Sequence, residues 1–172
     1  MTIVATPGQP TSNAYGTLTE FKAYCDERGF SYPTTSGADD QIEAEIINGA
    51  AYLDGRYRGK WRGRKTYSDQ ALAWPRAYVV DEDGYEVNSL TIPVVVARAN
   101  FEAARRLLDS VVLSPDLERG GAIAMERVKA GPVESETEYR GDAASRIAVT
   151  AIDDLLSGLL SGGRGQAVLV RS

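Results

Sequence analysis

Apolar residues recur at helical spacing in four places along the chain. Leu18, Phe21, Tyr24 and Cys25 share one face of a helix that begins after Thr17. Thr17 is a predicted N-cap, and Glu20 three residues later completes a capping box. Gly29 stops this helix as a left-handed terminator. A second helix is predicted over 39–54, with Asp39, Asp40 and Glu43 at its start, where carboxylates suit the positive end of the helix dipole. Ile42, Ile46, Gly49, Ala50 and Leu53 form its buried stripe, and Gly55 ends it. A third helix opens at Pro93, whose fixed φ and missing donor suit a first helical position. Ala97, Phe101, Ala104, Leu108 and Val111 advance by 4, 3, 4 and 3 residues and predict one apolar face. Arg98, Glu102, Arg105 and Asp109 lie on the other, with Glu102 and Arg106 spaced as an i,i+4 ion pair. A fourth helix is predicted over 144–160, with Val149, Ile152, Leu156 and Leu159 as its stripe.

Alternation replaces helical spacing before that fourth helix. Segments 122–129 and 133–140, joined through Ala130-Gly131-Pro132, predict a β hairpin. In the second segment Val133, Ser135, Thr137 and Tyr139 face one way and Glu134, Glu136 and Glu138 the other. Residues 56–92 are the longest irregular stretch. There Ser68 is placed to cap a turn of helix over 69–73, Trp74-Pro75 demands extended backbone, and Asp83-Gly84 is a turn signal. The fold class that results is mainly α with a small β hairpin (α+β). It is an antiparallel bundle of about four helices in a single domain over 1–172, with flexible arms at both ends. Residues 1–15 lack periodicity and predict a mobile or partner-ordered arm. At the other end a glycine-rich SGGRG precedes Gln166, Ala167, Val168, Leu169, Val170 and Arg171. That apolar β-former is either a strand of its own domain or one added to a partner's sheet edge.

Composition then narrows the chemistry. At 172 residues and 43% hydrophobic, the chain suffices for one core. No run of about 18 apolar residues predicts a membrane span, and the N-terminus lacks the pattern of a signal peptide, so a soluble intracellular protein is expected. The single cysteine, Cys25, cannot form an intrachain disulfide and reads as a small buried apolar residue. The absence of histidine removes Ser-His and Cys-His catalysis and the commonest metal ligand. Asp39-Asp40 and Asp153-Asp154 are adjacent on helices and point about 100° apart, so neither pair converges on one ion. The run Asp81-Glu82-Asp83-Gly84 lacks the spacing of a calcium loop. No enzyme, cofactor or metal is expected.

One stretch departs from the acidic average. RYRGKWRGRK, residues 56–65, holds six cations, leaving −11 on the rest of a chain whose total is −5. Two readings are open. Arg56, Arg58, Lys60, Arg62, Arg64 and Lys65 neutralise phosphates while Tyr57 and Trp61 stack on bases. Alternatively, Tyr57 and Trp61 pack inward as anchors, and the cations meet acidic protein surface.

The order of motifs resembles a known group. A first helix beginning LTEFKAY is followed by a second ending AAYLDGRY, then by WRG, by QALAWPR and by a TIP that opens the helix carrying VARA. This is similar to a phage protein family labelled DnaT-like single-stranded-DNA-binding protein, and to the head-tail connector (adaptor) proteins of tailed bacteriophages. The resemblance spans about 17–160, with the long VVDEDGYEVNS stretch as an insertion of unassigned role. The connector likeness implies a structural virion protein at the neck, made in the host bacterial cytoplasm. It also implies a homo-oligomeric ring of about a dozen copies under the portal protein, touching tail or neck proteins and passing double-stranded DNA. In that setting residues 166–171 contact portal or neighbour, and the basic loop contacts an adjacent subunit or the DNA. No membrane partner is implied. The alternative implied by the DnaT-like likeness is a single-stranded-DNA-binding replication accessory protein.

Overall fold

The computed structural model describes residues 2–113, 150–161 and the two strands of a hairpin between them. The chain divides into two compact units, Met1–Leu113 with Val149–Ser172, and Ser114–Ala148. In the first unit α1 (Leu18–Asp26), α2 (Ala38–Arg56), α3 (Val94–Leu108) and α4 (Thr150–Leu156) are joined by two short strands, β1 (Arg64–Lys65) and β2 (Arg76–Ala77). A 3₁₀ turn, Ser157–Leu159, follows α4. The second unit contains β3 (Ala124–Ala130) and β4 (Val133–Tyr139), paired antiparallel from Ala124↔Tyr139 to Ala130↔Val133. Mainly helical α+β architecture with a two-stranded hairpin is thus what the periodicity predicts. The facing of the hairpin side chains, and residues 144–149 of the predicted fourth helix, lie outside the described residues.

Local chemistry explains the helix starts. Thr17 accepts from the Glu20 amide and the Glu20 carboxylate accepts from the Thr17 amide, the full capping box. Lys22 reaches Asp39 at 2.6 Å, tying α1 to the first turn of α2. Helix α2 runs through Gly55 to Arg56, so Gly55 is internal rather than terminal. Pro93 sits at the N-cap of α3, one position before the predicted site. The predicted helical turn at 69–73 does not form, because a side chain takes over the role of helical hydrogen bonds there. Buried Gln70 accepts from the Tyr67 amide at 3.0 Å and donates to the carbonyls of Leu72 and Pro75 at 2.8 and 3.1 Å.

The core has two halves with α3 between them. Phe21, Tyr24, Cys25, Ile42, Ile46, Phe101 and Ala104 fill one. Leu53, Tyr57, Trp61, Trp74, Val79, Val96, Ala99, Ala103, Ile152, Leu156 and Leu159 fill the other. Burial pushes the Cys25 thiol up to about 11, consistent with an apolar packing role. α3 is therefore buried on two sides, not one. Glu102, expected on the polar face, is only 6% exposed and is held by Arg105 and Arg106 at 2.8 and 3.0 Å. Helices α2 and α3 approach closely at Gly49, where a β-carbon would lie 2.8 Å from Asn100 Nδ2 and 2.9 Å from its carbonyl. Asn100 uses that proximity to donate to Ile46 O at 2.8 Å and to accept the Tyr15 amide at 3.1 Å.

The N-terminal segment is not a free arm. Val4 and Asn13 exchange hydrogen bonds, the Ser12 hydroxyl donates to the Thr6 carbonyl, and Ser12, Ala14 and Tyr15 are buried. Tyr15 donates its hydroxyl to Asp54 near the end of α2, and the Ala73 amide donates to the same carboxylate at 2.9 Å. Burial, ahead of any neighbour, raises the Asp54 carboxyl above its ordinary value and raises the Tyr15 phenol well above its own. The absence of helical periodicity misled here: segment 2–15 is ordered by hydrogen bonds to itself and by one buried aromatic.

Candidate functional site

The basic stretch begins on the last residue of α2 and is pinned from below by its aromatics. Tyr57 is 2% exposed and Trp61 6%, so neither can stack on a base, and the reading that made them stacking residues is corrected. Trp61 packs edge-on to Trp74 at 5.7 Å, and Tyr57 lies 5.5 Å from Trp61. The Tyr57 hydroxyl donates to Asp153 on α4, and burial together with that carboxylate pushes its phenol well above the ordinary range. The loop backbone is stitched to the chain that leaves α4. Arg62 N donates to Leu159 O at 3.0 Å, Ser161 N to Lys60 O at 2.6 Å, and Trp61 bridges Leu160.

The six cations separate into two groups by what they touch. Arg56 pairs with Asp153 at 3.4 Å, with its side chain largely covered. Arg62 donates to Leu160 O at 3.1 Å and to Val80 O at 3.2 Å. Lys65 donates to Gln70 O at 3.0 Å. These three hold the loop to its surroundings. Arg58 and Lys60 are exposed and make no side-chain hydrogen bond or ion pair among the described residues. Arg64 is exposed as well, and its guanidinium lies 4.9 Å from the ring centre of Tyr78. The other nominated group, Gln166, Ala167, Val168, Leu169, Val170 and Arg171, lies outside the described residues.

Sequence reasoning passed over Arg76 and Gly63, which together shape this surface. Arg76 donates to Arg62 O and Gly63 O, both at 2.7 Å, and to Ala73 O at 3.2 Å. Gly63 has φ +65°, and a β-carbon on it would lie 2.2 Å from Ala77 O. Only glycine permits that approach, and the approach lets β1 pair with β2 in the register Arg64↔Ala77 and Lys65↔Arg76. Tyr78, the residue after Ala77, is thereby set beside the exposed Arg64. The only signal available was Gly63 between two arginines, which composition alone cannot distinguish from a solubilising glycine.

A small mainly helical protein carrying a rigid, positively charged loop on an acidic body is the class this geometry defines. The chain belongs to the family described as "Putative DnaT-like ssDNA binding protein", whose model matches residues 1–172. No curated protein and no solved structure matches it. This corrects the expectation of a virion head-tail adaptor at the portal and neck: the family that spans the whole chain is described by single-stranded-DNA binding.

Proposed function

We propose that this protein binds single-stranded DNA through the loop of residues 56–65, with Arg58, Lys60 and Arg64 as its phosphate contacts. The observation that carries the reading is the division of the six cations. Arg56, Arg62 and Lys65 are tied to carboxylate or carbonyl groups that fix the loop, whereas Arg58, Lys60 and Arg64 are exposed and have no such partner among the described residues, on a loop anchored by the buried Tyr57 and Trp61. Family membership over the whole chain supports the same ligand. The acidic remainder, at −11, repels nucleic acid, so binding is confined to this loop.

Three phosphate contacts on a single strand predict that log affinity falls with log salt at a slope of about −2; six would give about −4. Fluorescence anisotropy of a labelled oligonucleotide across a salt series measures it. Replacing Arg58, Lys60 and Arg64 with glutamine is expected to flatten the slope towards zero and to leave the thermal melting temperature nearly unchanged. No binding by the wild-type protein at low salt would dispose of the reading.

A further inference from the structure

We infer that Tyr78 is a base-stacking residue and that it supplies the preference for single strands; the inference rests on the DNA-binding reading of the adjacent loop. Cations alone do not supply it, because they attract phosphates of either form of DNA. A base must leave the duplex stack before it can lie on an aromatic ring, so an exposed ring beside the cations selects for unpaired bases.

Among the described residues three tyrosines are well exposed, and their neighbours separate them. Tyr67 is 43% exposed, but its ring packs against Gly8, where a β-carbon would lie 2.5 Å away. Tyr85 is 72% exposed, yet it shares its turn with Asp81, Glu82, Asp83 and Glu86, whose charges repel a phosphate backbone. Tyr78 is 71% exposed with the Arg64 guanidinium on its ring and 3.4 Å from its hydroxyl. A base on that ring places its phosphate within reach of a cation already in position.

The backbone at Tyr78 points the same way. Its φ is +60°, a left-handed conformation that a bulky residue rarely holds. It is fixed from both sides: Ala77 pairs with Arg64, and Val79 is fully buried and accepts the Val87 amide at 2.9 Å. Glycine would hold this backbone without strain, so packing and local propensity do not account for a tyrosine here. Strain retained by an over-determined surround is characteristic of binding sites.

The test uses the full chain and three probes of one length: a labelled single strand, the matching duplex, and an abasic single strand. Tyr78→Gly relieves the backbone, so it is expected to melt no lower than wild type. It should bind the single strand roughly tenfold or more weakly, within the range for loss of one stacked base. Its salt slope should not change, and its single-strand preference over duplex should collapse. Tyr78→Phe keeps the ring and should bind within about twofold of wild type. The wild type should bind the abasic strand about as weakly as Tyr78→Gly binds the normal one. Wild-type affinity and preference in Tyr78→Gly would overturn this inference while leaving the DNA-binding reading in place. Failure of the wild type to bind any of the three at low salt would remove both.

Discussion

Arg58 and Arg62 are four residues apart in one basic stretch, and the structure gives them opposite duties. Arg62 lies across the loop and donates to carbonyls of Leu160 and Val80, while Arg58 extends into solvent. Arg62→Gln leaves the partly buried Leu160 carbonyl without this donor and is expected to lower stability by about 1–2 kcal/mol. Arg58→Gln is expected to stay within about 0.5 kcal/mol of wild type. Urea denaturation of the two variants measures both, and equal losses would contradict the division of the loop's cations. That division was not legible in the sequence. It depends on where the carbonyls of residues 80 and 160 arrive, nearly 20 and 100 positions away. The inward reading of Tyr57 and Trp61 was legible as one of two alternatives, because aromatics spaced four apart after a helix end suit anchors as well as stacking platforms.

At the scale of elements, the long periodic segments were readable and the special contacts were not. The capping box at Thr17 and Glu20 involves residues three apart, and local chemistry alone determines it. α3 was read with one apolar face because Phe101 and Leu108 dominate its pattern. Its second buried face consists of Val96, Ala99 and Ala103. Alanine is a good helix former on any face, so it carries little facing signal. Small residues there let the neighbouring helices come close, and Gly49 does the same from α2. Gly49→Ala therefore sets two effects against each other. Helix propensity favours alanine by about 1 kcal/mol, whereas the new methyl meets Asn100 side chain and backbone at under 3 Å. Backbone cannot yield as a flexible side-chain end does, so overpacking, typically costing about 1–3 kcal/mol, is expected to win. A lower melting temperature for Gly49→Ala checks this, and a higher one would show that α2 and α3 separate easily. The failed helical turn at 69–73 has the same character: Gln70 is a good helix former whose buried amide serves three backbone groups instead.

At the scale of the molecule, charge segregation was plain from the sequence, and its arrangement needed the fold. An acidic chain with one basic stretch predicts a local binding surface. Whether that surface is a tether or a platform depends on its anchoring. Arg76, Gly63 and the segment that leaves α4 make it a platform, joined to the core at both ends. The N-terminal segment contributes through Tyr15 and Asp54, which hold Ala73 just ahead of Trp74.

The pairing of Trp61 with Trp74 beneath that platform has a practical consequence. They are the protein's two tryptophans, and they lie edge to face at 5.7 Å. Intrinsic emission of the intact chain is thus a built-in optical gauge of this one locality, needing no label. A ligand that settles on a preformed loop should leave the emission maximum in place, whereas one that pries the loop from the helices should shift it to longer wavelength as water reaches the indoles. Titration with an oligonucleotide under excitation selective for tryptophan is expected to give the first outcome, and a red shift during binding would show that the loop is remodelled.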